Sequence, residues 1–125
     1  MKRDMDLIRL LLMRSAGYDV AAEIDKHPVS VRAFHVALLK DAGYVIALIS
    51  TDEHGQIARA ATSRLTWQGY DFLQLMLDDG MWKKAKKVII DKGIPWTAAL
   101  LYQWLKAEAR RHIPGLGGEV SHEIV

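Results

Sequence analysis

Lys26 to Val45, KHPVSVRAFHVALLKDAGYV, is the stretch on which the fold is decided. His27–Pro28 interrupts whatever precedes it, because the residue before a proline is driven out of the helical region. A helix then runs from Val29 or Ser30 to Ala42. Val31, Phe34, Leu38 and Ala42 recur along it at helical spacing, which predicts them as its inward side. Gly43 supplies the stop. The chain leaves directly into Tyr44-Val-Ile-Ala-Leu-Ile-Ser-Thr51, short, β-branched and bounded by turn residues, which reads as a strand. Asp52-Glu-His-Gly-Gln56 reads as a turn, with a glycine available for positive φ. Ile57 to Leu65 reads as the return strand. A helix delivered straight into a hairpin is the way a helix-turn-helix meets its wing. The expected fold is mainly α with a small β-hairpin, a winged-helix core plus C-terminal helices. That pattern speaks for fold more than for function, since winged helices also serve purely as protein-binding modules.

Outward from this stretch the rest of the chain reads as helices. Asp4 is placed to cap a first helix that runs to about Ala16 and stops at Gly17. Its apolar residues, Met5, Leu7, Ile8, Leu10, Leu11, Leu12 and Met13, cover most of the circumference. This predicts a helix packed on two sides, within the domain or against a partner subunit. Tyr18 to Lys26 reads equally as a short strand or a short helix. Thr66 is placed to cap a helix from Trp67 to about Leu77. Asp78–Asp79–Gly80 punctuates, and a further helix covers Met81 to Asp91. Pro95 suits the first turn of a last helix that reaches His112, and Pro114-Gly-Leu-Gly-Gly118 dissolves it. The expected organisation is one domain: residues 1–65 as the core with the wing at 44–65, residues 66–113 as helices packing on it, and 114–125 as a loose tail.

The 125 residues are half apolar, enough to bury a core. Cysteine is absent, which excludes disulfides, cysteine nucleophiles and thiolate metal sites. The basic, apolar opening resembles a leader peptide, but Asp4, Asp6, Arg9 and Arg14 interrupt it. No stretch approaches the roughly 18 apolar residues of a membrane span. A cytoplasmic protein without membrane attachment is expected. The net charge of +2 is too mild to argue for nucleic acid by itself.

With Val31, Phe34 and Leu38 inward, the outward face of the helix after Pro28 carries Arg32, Ala33, Val36 and Lys40. Arg32 is a candidate for a guanine edge or a phosphate, and Lys40 for a phosphate. Ala33 and Val36 offer at best contact with thymine methyls. Arg59 and Arg64 are the candidates on the wing, whose tip, Asp52–Glu53, repels phosphate. Lys83, Lys84 and Lys87 lie on one lysine-rich helix and read as secondary phosphate support or as a solvated face. None of the five histidines has metal-ligand spacing, and His35 reads as packed inward. Asp71, Asp78 and Asp79 read as helix termination and solvation. No serine lies in a nucleophile elbow, so no catalytic residue, metal or cofactor is expected. Trp96, Leu100 and Trp104 recur at four-residue spacing beside Leu101 and Leu105, a broad apolar face suited to core or to a homodimer interface.

The opening MKRDMDLIRLLL, the segment LTWQGYDFLQLMLDDGMWKKAKK (Leu65 to Lys87) and the order of elements resemble an uncharacterised bacterial and phage family, domain of unknown function 2513. The resemblance covers about Met1 to Arg111. It implies a small helical protein with a wing, of a kind often encoded in prophages or mobile elements. It implies no established activity, cofactor or catalytic residue. The chain departs from the family pattern at Tyr70, where histidine is frequent, and in a shortened segment ahead of Val31, where the middle helix of a three-helix core belongs. The expectation is a non-enzymatic, dimeric, DNA-binding regulator of a phage or mobile element. The alternative is a protein-interaction module that binds and modulates a host or defence protein.

Overall fold

Asp4 accepts the free amides of Asp6 and Leu7 on its carboxylate, at 3.0 and 3.2 Å, and so starts helix α1 (Met5–Ser15). The computed structural model describes residues 2–93 and 97–112, the side chain of Ile90 excepted. The chain forms two compact units, Met1–Gln74 and Leu75–Val125.

In the first unit, α1 buries Met5, Leu7, Ile8, Leu11 and Leu12 against α2 (Ala21–Ile24), α3 (Val29–Asp41) and strand β2 (Ile57–Leu65). The breadth of its apolar surface is thus accounted for within the chain. The segment that reads as strand or helix takes one helical turn, α2, whose Ile24 is fully buried. Pro28 is extended, at φ −57° and ψ 151°, and α3 begins with the next residue.

The rotational phase of α3 differs from the expected one. Ala33 and Val36, expected outward, are 3% and 2% exposed. Val31, Phe34 and Leu38, expected inward, are half-buried, and Ala42 is exposed. The reason is that α3 is covered on two sides, by α1 and by the hairpin. The buried residues are Ala33, His35, Val36, Ala37 and Leu39, and periodicity, which weighs the bulky apolar residues, overlooks the alanines and the histidine among them. His35 is buried as expected and spans the unit. Its Nδ1–H donates to the carbonyl of Val31 at 2.7 Å, and its Nε2 accepts the amide of Asp4 at 2.8 Å.

β1 (Val45–Thr51) and β2 pair antiparallel, with Val45 opposite Leu65, Leu48 opposite Ala61 and Ser50 opposite Arg59. Val45, Ala47 and Leu65 point into the core, while Ile46 and Leu48 face outward. Asp52 closes the turn by accepting the amides of His54 and Gln56, and Gly55 takes φ +77°. Thr66 starts α4 (Trp67–Met76): its hydroxyl donates to the Gly43 carbonyl and accepts the Gly69 amide. Phe72 of α4 packs on Tyr44, ring centroids 4.9 Å apart.

In the second unit, Asp78 accepts the Met81 amide at 2.8 Å and starts α5 (Asp79–Asp91). Thr97 accepts the Leu100 amide at the start of α6 (Ala98–His112). Trp82, Ala85 and Ile89 line the buried side of α5. Leu101, Leu105 and Glu108 line that of α6, which packs on α5. Pro95 and the expected tail lie outside the described residues. The architecture is mainly α with one two-stranded hairpin, in the element order of a winged helix. Among the described residues no helix is long and apolar enough to cross a membrane.

Candidate nucleic-acid interface

The last turn of α1, the N-terminal half of α3 and the middle of the hairpin enclose a cleft of about 510 Å³. Each contributes one arginine: Arg14, Arg32 and Arg59. Arg14 occupies the last turn of α1, where a cation also suits the negative end of the helix dipole. Arg59 reaches the cleft from β2, opposite Ser50. Arg32 is the least free of the three. Its Nε donates to the His27 carbonyl at 2.9 Å, and its Nη1 pairs with Asp25 at 3.3 Å. It fastens the turn ahead of α3, which limits its use as a reader of bases. Arg14 and Arg59 are exposed and have no ion-pair partner among the described residues. A guanidinium does not lose its proton in a protein, so two positive charges stand open at the rim. The rest of the lining apart from Ser50, here called its floor, is apolar: Val29, Ala33, Val36, Leu48, Ala60 and Ala61. Among the described residues no group of side chains could hold a metal ion.

Of the residues singled out in the sequence, Arg32 and Arg59 meet in this cleft. Ala33 and Val36 form part of its floor instead of an outward face. Lys40 is exposed at the far end of α3 and does not line the cleft. Arg64 is exposed on β2 opposite Ile46, also outside the lining, with Nη1 on the Leu65 carbonyl at 3.3 Å. Arg14 was absent from the sequence-derived set. Nothing local in the chain marks it, because only the packing of α1 beside the hairpin brings it to Arg59.

In the second unit, Lys83 and Lys87 are exposed on α5, but Lys84 is committed. Its Nζ lies 3.0 Å from the carboxylate of Glu108, which is buried and also paired with Arg111 at 2.8 Å and His112 at 3.4 Å. Sequence reasoning missed this centre, although Glu108, Arg111 and His112 stand at i, i+3 and i+4 on one helix. The Lys84 hydrogen bond, with the charges of Lys84, Arg111 and His112, holds the Glu108 carboxyl below its ordinary range, against burial, which pushes it up. A carboxyl lowered in the folded state stabilises above its unfolded pKa, and that contribution is lost as pH falls through the folded value. The α5–α6 pair should therefore keep its stability from neutral pH down to the ordinary carboxylate range and lose it below. Glu108→Gln should cost about 2 kcal/mol at pH 7 and flatten that acid-side fall. Urea unfolding followed by tryptophan emission checks both, and an unchanged pH profile in the variant refutes the assignment.

Of the expected interface residues, Leu101 and Leu105 are fully buried inside the chain, Leu100 is exposed and Trp104 half-buried. Trp96 lies outside the described residues.

Fold and site together define a small wing-bearing helical protein with an arginine-rimmed cleft beside its third helix. Over residues 2–95 the chain matches the family described as "Hypothetical protein (DUF2513)", and it belongs to that family. It is also similar to an uncharacterized protein of Haemophilus influenzae (strain ATCC 51907 / DSM 11121 / KW20 / Rd). The two are 32% identical over 105 residues, covering 75% of this chain and 83% of the relative. No solved structure matches. The family match takes in every residue of the cleft and stops before α6, so Glu108 lies beyond it.

Proposed function

We propose that this is a non-enzymatic, cytoplasmic winged-helix protein that binds duplex DNA and regulates a phage or mobile element. The observation that carries the reading is the convergence of Arg14 and Arg59, without carboxylate partners among the described residues, beside the half-committed Arg32. Open guanidiniums at one concave surface suit phosphate oxygens, which arginine binds in bidentate fashion. The phase of α3 shifts the emphasis away from base reading. With Ala33 and Val36 buried and Arg32 tied to Asp25, that helix presents few groups to a base edge. Affinity in this reading comes from the backbone of the duplex.

Fluorescence anisotropy of a labelled random duplex across a salt series tests it. Binding in the micromolar range (~10⁻⁶ M) at low salt is expected, with log K falling linearly against log salt. Arg14→Ala/Arg59→Ala should weaken binding and reduce that slope by about 2. Lys40→Ala/Arg64→Ala should change it less. No binding at low salt retires the reading. Light scattering on the same samples tests the homodimer, for which Leu100 and Trp104 are the candidates still accessible. A monomer throughout removes it.

One observation favours the protein-interaction reading. Trp67 is 81% exposed on α4, and Tyr70, one turn further on, is half exposed. Exposed aromatic side chains are enriched at protein interfaces. A module of that kind ignores random duplex in the same assay.

A further inference from the structure

Phosphate contacts use the rim of the cleft and leave its floor unexplained. A duplex backbone is a rigid polar ridge, and it gains nothing from Val29, Ala60 or Ala61. Leu48 sharpens the point. It stands on the outward side of β1, directly across from Ala61, and is 75% exposed. The small side chains of Ala60 and Ala61 leave open a space of about 510 Å³, inside the roughly 300–1,000 Å³ of small-ligand pockets. Among the residues lining that space only Ser50 adds a neutral hydrogen-bonding side chain to the arginines, and none is acidic.

We infer that the cleft binds a small amphiphilic anion, its acidic head on Arg14 and Arg59 and its hydrocarbon body on Val29, Leu48 and Ala61. The charge of the rim sets the sign of the head. Phosphate and carboxylate each present a pair of oxygens that the planar fork of a guanidinium grips with two parallel hydrogen bonds. The floor sets the nature of the body. A nucleobase would leave its edge groups unpaired against alanine and valine, which costs affinity, whereas a hydrocarbon leaves nothing unpaired. Burying the body also removes Leu48 from water, the one gain that phosphate contact alone does not provide. Ligand binding stands independently of the DNA reading. If both hold, the two exclude each other, because they neutralise the same two arginines, and the protein releases DNA when the ligand is present.

Isothermal titration calorimetry on the full chain without DNA tests the inference. The probes are decyl phosphate, decanoate, inorganic phosphate and 1-decanol. One molecule of decyl phosphate or decanoate should bind per chain, at least about ten-fold more tightly than inorganic phosphate or the alcohol, since the head and the body both contribute. The tighter of the two acids identifies the head. Arg14→Ala/Arg59→Ala should weaken that binding about ten-fold or more. Ala61→Trp, which fills the floor from an exposed strand position, should abolish it. Leu48→Ser reads the same floor should the tryptophan variant not fold. Equal affinity for inorganic phosphate reduces the site to a bare anion site and overturns the inference. So does unchanged decyl phosphate binding in the arginine variant, or no heat from any probe up to about 1 mM, the weak limit of useful affinity. Displacement of labelled duplex by the preferred acid tests the exclusion. A chain that binds the acid but no DNA loses the regulator reading and keeps this one, and the reverse result does the opposite.

Discussion

Gly69→Ala is expected to destabilise the first unit by about 3 kcal/mol, as overpacking against a rigid neighbour does. Gly69 lies inside α4, where alanine normally gains about 1 kcal/mol over glycine. The sign reverses here because a Cβ at this position would run into the backbone carbonyl of Tyr44, with a side-chain carbon of Leu65 at 3.3 Å behind it. That carbonyl cannot move aside cheaply. It accepts the Thr66 amide at 3.0 Å, and the Thr66 hydroxyl is bonded to the neighbouring Gly43 carbonyl at 2.6 Å. The glycine thus seats α4 on the root of the wing and lets Phe72 reach Tyr44. Gly80, also inside a helix, is the control. The nearest atom to its missing Cβ is the Asp78 carboxylate oxygen at 3.2 Å, the one that accepts the Met81 amide, so only a small shift of that cap is needed and no backbone has to move. Gly80→Ala should cost far less than Gly69→Ala. Urea unfolding followed by circular dichroism reads both variants. A Gly69→Ala protein as stable as its parent would show that α4 is not seated on Tyr44.

His35→Leu is expected to cost about 2 kcal/mol, the penalty for leaving buried backbone groups without partners. The ring is fully buried, and both its nitrogens are used. A carbonyl only accepts, so Nδ1 carries the proton toward Val31. An amide only donates, so Nε2 is bare toward Asp4. The neutral ring thereby ties the cap of α1 to the body of α3 across 31 positions of sequence. Leucine is of similar bulk and preserves the packing, edge-on to Phe34, while removing both bonds. His35→Gln, which can still donate and accept, should lose less. The ordering of parent, glutamine and leucine in the same unfolding experiment distinguishes a bridging role from simple filling. Equal stability of the leucine variant and its parent refutes the bridge.

Much of the fold is legible residue by residue because its punctuation is local. Asp4, Thr66 and Asp78 cap helices within three or four residues of themselves, and Gly17 and Gly43 stop helices by taking φ of +99° and +81°. The return strand Ile57–Leu65 stands where its turn signals place it. The Leu65–Lys87 segment carries the family resemblance, and the family match confirms it. The site was less legible. Arg32 and Arg59 were visible as cations, but their relation to each other and to Arg14 was not, and Lys84 was visible without its partner Glu108.

The sequence by itself placed α1, α3, the hairpin and α4 to within a residue or two, showed that a helix feeds a hairpin and pointed to the family, while it left the segment of α2 open between strand and helix. These depend on caps, turns and short motifs that act over a few residues. Only the tertiary structure decided which side of α3 is buried. Both α1 and the hairpin pack on that helix, and together they bury Ala33, His35, Val36, Ala37 and Leu39. Only the tertiary structure, too, gathered Arg14, Arg32 and Arg59 around one apolar floor. Each arginine sits on a different element, and their meeting is a consequence of how those elements pack.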